Sequence, residues 1–265
     1  MKKKISITLD ENILEDIDSV IDKLYIRNRS QAIEHLVQKS LKESKIAVIL
    51  AGGPEEKLKV GGQFMLAAKL KGEPLVIHTI NSLREAGFTK IFIIGRSTIL
   101  TKAFEILKDG SAYGVKLNYL EEKESNGTAS TLKLIKGKVT TRFLVVYGDI
   151  FLKSIPLPKI WEEHLRQNSL VTIMLTTSAK PSQKGTVVME GNKILKFIQK
   201  PVSSEIYLVF SPIFVAEPEL LEYPGNSLEN EVFPILAEKS LLNGFVSPEK
   251  EVHIHCMEDI KKVKI

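Results

Sequence analysis

Ile46-Ala47-Val48-Ile49-Leu50-Ala51-Gly52-Gly53 is the stretch on which the fold turns. Its apolar run shows no alternation, which describes a strand buried on both faces, as in a parallel sheet covered by helices. Glycines follow at once, where backbone can turn tightly and approach a ligand at the sheet's carboxyl edge. Working outward, apolar strands are predicted at 90–94, 115–120, 142–147 and 170–176, with helices at 74–86, 99–108, 128–136 and 158–168. This alternation implies an α/β domain whose mixed, mostly parallel sheet is covered by helices. Thr186–Glu190 and Lys193–Ile198 flank Gly191-Asn192 as a hairpin. A strand near 206–215, a helix near 228–240 and a short terminal helix from Met257 complete the pattern.

The chain has 265 residues, 43% hydrophobic and 26% charged, an ordinary globular balance. A net charge of +5 does not by itself mark a nucleic-acid binder. No apolar run approaches a membrane span and no cleavable signal follows the first lysines, so a cytoplasmic protein with no membrane partner is expected. Cys256 is the only cysteine, which excludes an intrachain disulfide and a cysteine-based zinc site.

The first 44 residues contain neither glycine nor proline. Lys4-Ile5-Ser6-Ile7-Thr8-Leu9 alternates like a strand with one buried face. Asp10 reads as a helix cap ahead of Ile13, Leu14, Ile17, Val20, Ile21 and Leu24. Ser30 reads as the cap of a second amphipathic run through Ile33, Leu36, Val37 and Leu41. So short a segment buries no core alone and calls for a second copy, hence a homodimer or higher assembly. The order resembles the ribbon-helix-helix family of DNA-binding proteins, whose paired strands enter the major groove. The resemblance implies double-stranded DNA as partner, with Lys2, Lys3, Lys4, Ser6, Thr8, Arg29 and Ser30 as its contacts. Domains are expected at 1–44 and 45–265, with little linker between them.

Several motifs follow in the larger part. Gly127-Thr128-Ala129 opens a helix and Tyr147-Gly148-Asp149 ends a buried strand. Phe197-Ile198-Gln199-Lys200-Pro201 follows the hairpin, and Ser227-Leu228-Glu229-Asn230-Glu231-Val232-Phe233-Pro234 leads to Gly244-Phe245. Together with Leu50-Ala51-Gly52-Gly53, these resemble the sugar-1-phosphate nucleotidyltransferases, which share a GT-A-like α/β fold. The resemblance covers residues 45 to about 262. It implies attack by a sugar phosphate on the α-phosphate of a nucleoside triphosphate, with charge neutralised by Mg²⁺, arginine and lysine. It assigns catalytic roles to Lys57, Asp149 and Lys200, and a metal to Asp149. Ligand contacts fall on Ala51, Gly52, Gly53, Glu122, Gly127, Thr128, Gly148, Asp149, Lys200 and Glu229.

The chain departs from the family pattern at several catalytic positions. Glu55 and Lys57 stand where a further glycine and a catalytic arginine are usual, and Met65 stands for a lysine. Glu122 replaces a base-reading glutamine, Gln199 a glutamate, Ile206 a glycine and His253 a metal-binding aspartate. Imidazole suits Mg²⁺ poorly, so the metal site reads as weakened. His253 and His255, alternating beside Cys256, leave open a transition-metal site or a packed edge strand. These departures lead to the expectation of a dimeric DNA-binding transcription regulator whose larger domain senses a nucleotide, sugar phosphate or nucleotide sugar. The alternative is an active sugar-1-phosphate nucleotidyltransferase carrying the N-terminal module.

Overall fold

The computed structural model describes residues 6–23, 26–42, 45–60, 62–70, 72–167, 169–254 and 259, without the side chains of 38–42, 55, 57 and 60. The chain forms two compact units, Met1–Ser44 and Lys45–Ile265.

In the smaller unit α1 spans Glu11–Ser19 and α2 spans Arg29–Lys42. Among the described residues Ile17 and Ala32 are its buried apolar ones, while Ile7, Ile13 and Val37 remain exposed. The expected ribbon strand is not formed: Ser6–Leu9 has no regular structure, and Lys4 and Ile5 lie outside the described residues. A strand is held by ladder hydrogen bonds from a neighbour, and this segment has none here. Asp10 occupies the cap position of α1, but its side chain makes no capping bond. The cap of α2 is Asn28 rather than Ser30. Asn28 Oδ1 accepts the Gln31 N–H at 3.0 Å, and Ser30 falls inside the first turn.

The larger unit is built on β1 (Lys45–Ala51), β2 (Phe88–Gly95), β3 (Lys116–Glu121), β4 (Phe143–Tyr147) and β5 (Val171–Thr177). It continues with β6 (Gly185–Glu190), β7 (Lys193–Gln199), β8 (Leu208–Ala216) and β9 (Leu242–Val246). The sheet order is β5-β9-β7-β6-β8-β4-β1-β2-β3, with β5 also paired to β8. Strands β3, β2, β1 and β4 run parallel, and β8 runs antiparallel to β4 and β5. This α/β fold carries out the pattern read from β1, whose residues 46–51 are all buried.

Burial on both faces follows from period-2 side-chain alternation. Val48 and Leu50 join Phe143, Phe214 and Phe233 in one core, under α5 (Thr128–Leu132) and α7 (Phe233–Glu238). Ala47 and Ile49 join Ile80, Leu144 and Trp161 in the other, under α3 (Leu75–Glu85), α4 (Ser97–Leu107) and α6 (Leu157–Gln167). Two predicted helices are shorter than expected. The first, at 128–136, is α5 followed by a 3₁₀ turn. The second, at 228–240, opens as a wide π turn, Leu228–Val232, before α7. Pro234 has no N–H for the Asn230 carbonyl, so a regular α-turn cannot close there. Strand β8 starts at Leu208, after a local turn in which Ile206 N–H donates to Ser204 Oγ at 3.0 Å. The terminal helix expected from Met257 falls outside the described residues except at Asp259.

Candidate functional site

The site residues collect at the carboxyl ends of the parallel strands. Gly148 N–H donates to the Leu50 carbonyl at 2.8 Å, which joins the exits of β1 and β4. Glu122 leaves β3 with its own N–H on the Gly95 carbonyl at 2.8 Å. Its carboxylate accepts the Gly53 N–H at 2.9 Å and the Thr131 hydroxyl of α5. Glu122 is only 2% exposed, so this buried carboxylate ties the glycine loop to α5 instead of facing open space. A Cβ on Gly52 would overlap this carboxylate, so a larger residue there would have to displace it.

Beside this tie lies a cleft of about 230 Å³, walled by Gly52, Gly53, Ser125, Gly127, Thr128 and Tyr147. Gly127 adopts φ +115, and a Cβ there would sit 2.5 Å from the Asn226 carbonyl. That carbonyl accepts the Ala129 and Ser130 N–H groups at 2.8 and 3.1 Å, holding the start of α5 against the 225–228 loop. Thr128 Oγ1 donates to Glu229 Oε2 at 2.7 Å and accepts the Leu228 N–H at 2.9 Å. The Tyr147 phenol donates to the other Glu229 oxygen. Burial and the adjacent Glu229 carboxylate push that phenol well above its usual range, so Tyr147 remains a donor. A second cavity of about 230 Å³ is lined by Leu58, Met65, Leu66 and Ile99 and reaches Asp149. Met65, which stands for a family lysine, is thus part of an apolar wall.

Asp149 lies just past β4, against the short strand pair Ile150–Phe151 and Val252–His253. Its Oδ2 is 3.3 Å from His253 Nδ1, and His253 Nε2 is 3.3 Å from Glu251 Oε1. Lys184 closes the chain by donating to Glu251. Burial pulls the His253 imidazole down, but its bonds to Asp149 and Glu251 outweigh this and hold it at about 9. Burial pushes Glu251 up, yet His253 and Lys184 bring it down to about 2. Mg²⁺ asks for several oxygen ligands in octahedral array. Among the described residues no group of three His, Cys, Asp or Glu could hold a metal ion. The donors around Asp149 therefore do not fit Mg²⁺. His255 and Cys256 lie outside the described residues.

Ala51, Gly52, Gly53, Glu122, Gly127, Thr128, Gly148, Asp149 and Glu229 come together around these two cavities or the bonds between them. Lys200 follows β7, exposed, with φ +46 and its N–H on the Lys184 carbonyl at 3.0 Å. Lys57 belongs to the turn Glu55–Leu58, its side chain outside the described set. Thr131, Lys184 and Glu251 were not singled out from the sequence; Lys184 and Glu251 meet across 67 positions, and Thr131 meets Glu122 from nine residues on. Tyr147 stood within a quoted motif, and its role emerges from the bond to Glu229.

Ser6 and Thr8 are exposed outside any strand, and Lys2, Lys3 and Lys4 lie outside the described residues. Arg29 is committed to Asp18 through two bonds of 2.7 Å. No helix among the described residues is long and apolar enough to cross a membrane.

A parallel-sheet α/β fold with a glycine loop, a neighbouring Gly-Thr turn and an acidic strand end defines a class of nucleotide-handling proteins. Residues 46–232 match the nucleotidyl transferase family model, and the chain belongs to that family. It is 31% identical over 184 residues to a mannose-1-phosphate guanyltransferase from Pichia angusta, covering 66% of this chain and 50% of that protein. It is 30% identical over 186 residues to a protein from Oryza sativa subsp. japonica named a probable mannose-1-phosphate guanylyltransferase 1, covering 66% and 51%. The chain thus spans about half the length of these relatives. A candidate glucose-1-phosphate thymidylyltransferase from Bacillus anthracis shares the fold at a TM-score of 0.75 and 18% identity, over 82% of this chain and 93% of that one. These findings overturn the expectation of a DNA-binding transcription regulator, since the relatives carry enzyme names. The departures that suggested a regulator concern single side chains, and the family's larger pattern persists around them.

Proposed function

We propose that the chain is an active sugar-1-phosphate nucleotidyltransferase. A phosphate oxygen of the sugar phosphate attacks the α-phosphorus of a nucleoside triphosphate, the bond to the β-phosphate oxygen breaks, and pyrophosphate leaves. The observation that carries this reading is the cleft between Gly52-Gly53 and Gly127-Thr128, with Tyr147 and Thr128 on its wall, both bonded to Glu229 behind them. The glycines let a nucleotide approach the backbone closely. Glu229, with hydroxyl partners already in place, is a preset acceptor for sugar hydroxyls. Lys200 supplies positive charge for the phosphates, and stabilising developing charge is usually the largest part of such catalysis. Glu122 acts by holding the glycine loop. Mg²⁺ is typical of the family, but the donors at Asp149 do not fit it, so no step is assigned to it. The relatives' names make guanosine triphosphate with mannose 1-phosphate the leading substrate pair.

The test is pyrophosphate release across the common nucleoside triphosphates and several hexose 1-phosphates. Turnover of about 1–10³ per second is expected for the right pair, and Lys200→Ala should lower it about 10²–10³-fold. Release at background for every pair would end the enzyme reading.

For the Met1–Ser44 unit we infer a role in assembly with a second copy of the chain. Its exposed Ile7, Ile13 and Val37 support this, since two short helices bury little by themselves.

A further inference from the structure

Lys200 sits in an unusual backbone conformation. Its φ is +46, in the left-handed region, yet it follows the strand β7 and not a helix. Lys108 and Ser240 also have positive φ, but they close α4 and α7, the ordinary place for that conformation. Elsewhere a side chain in the left-handed region persists only where its surroundings hold it. Pro201 comes next, and a residue ahead of proline prefers extended backbone. Lys200 therefore needs a restraint. Strands β6 and β7 pair Gly185 with Gln199, so one step further out Lys184 lies opposite Lys200. The Lys200 N–H donates to the Lys184 carbonyl at 3.0 Å, as the closing rung of this ladder. Pro201 has no N–H with which to add another.

Lys184 is itself tied down at both ends. Its N–H donates to the Pro181 carbonyl at 3.0 Å, closing the turn Pro181–Gln183. Its ammonium donates to Glu251, whose side chain is 1% exposed. Fixing the end of a long lysine stem costs rotamer freedom, and an ion pair taken out of water gains little net stability. Its best-attested use is to fix register. We propose that Lys184 is a positioning residue for Lys200: anchored on Glu251, it holds its carbonyl against the Lys200 N–H and so keeps Lys200 in the left-handed turn that sets where its ammonium lies. This rests on the reading of Lys200 as the cation for the phosphates. Glu251 also meets His253, so Lys184 is the cleaner residue to change.

The experiment compares Lys184→Met, which keeps the stem and drops the ammonium, with Lys184→Arg, which can still donate to Glu251. Two readouts are taken on the full chain. The first is the amide exchange rate of Lys200 in the free protein, by nuclear magnetic resonance. It should rise about 10-fold in Lys184→Met and stay near wild type in Lys184→Arg. The second is kcat/KM for the substrate pair with the fastest pyrophosphate release. Lys184→Met should lower it by up to about 10²-fold, the scale on which a small misplacement acts, and Lys184→Arg should restore most of it. In a Lys200→Ala background the same Met substitution should change it less than about 2-fold, because its effect runs through Lys200. A lysine that only stabilises the fold would cost as much in both backgrounds, so an equal loss overturns the proposal. Unchanged Lys200 exchange in a folded Lys184→Met protein overturns it too. If wild-type protein releases no pyrophosphate from any pair, the enzyme reading falls, and the exchange rates alone decide whether Lys184 holds Lys200. Should Lys184→Met fail to fold, as judged by circular dichroism, Lys184→Gln takes its place with the same expectations.

Discussion

His164 shows how one buried side chain sets a pH response. Nδ1 lies 2.9 Å from Thr172 Oγ1 and Nε2 lies 3.4 Å from Glu217. Burial, and then the Arg142 charge, push the imidazole down to about 4. An unfolded chain takes up the proton near 6.5, while the fold refuses it until about 4. Stability is therefore complete above 6.5 and falls as pH drops through that window, by up to about 3 kcal/mol. Glu217, raised by its own burial, offsets part of this. Urea unfolding at pH 7 and pH 5 should show lower stability at pH 5, and His164→Gln should flatten the difference. An unchanged slope in the variant would assign the effect to other groups.

Among the elements, the 225–228 loop and the start of α5 form one joint through the Asn226 carbonyl. Gly127→Ala would bring a methyl onto that carbonyl at a φ that L-residues avoid. A loss of about 1–3 kcal/mol is expected, read by denaturant unfolding, with a larger loss of nucleotide affinity read by calorimetry. Nucleotide binding at wild-type strength would remove this joint from the cleft. Strands β7 and β8 meet α7 through a second joint. Phe233 is fully buried, its ring edge-on to Phe197, Phe210 and Phe214 at 5.4–5.5 Å. Phe233→Ala should cost about 3–5 kcal/mol. Spectroscopic melts that leave the midpoint in place would show that the cluster repacks.

For the molecule as a whole, the larger unit holds cores on both faces of its sheet, whereas the smaller contributes two short helices. Removing residues 1–44 should leave pyrophosphate release within several-fold of the full chain and lower the assembly state, both checked on one preparation by sedimentation and enzyme assay. A truncated protein with the same sedimentation as the full chain would end the assembly role.

The order of apolar strands, the paired glycines and the Gly-Asp after β4 carry the α/β fold and the neighbourhood of the site in chain order alone. These are local facts: period, turn chemistry and burial on two faces are written into short windows. Glu122, Glu229 and His253 each have a partner that is not local, met across 69 to 104 positions of sequence. Side-chain types at those positions suggested a lost base reader and a weakened metal site. Folding instead turned Glu122 inward to hold a loop and set His253 between two acids. The ribbon strand meets the same limit, since alternation marks a segment able to pair and only a neighbouring backbone supplies the hydrogen bonds that make it a strand.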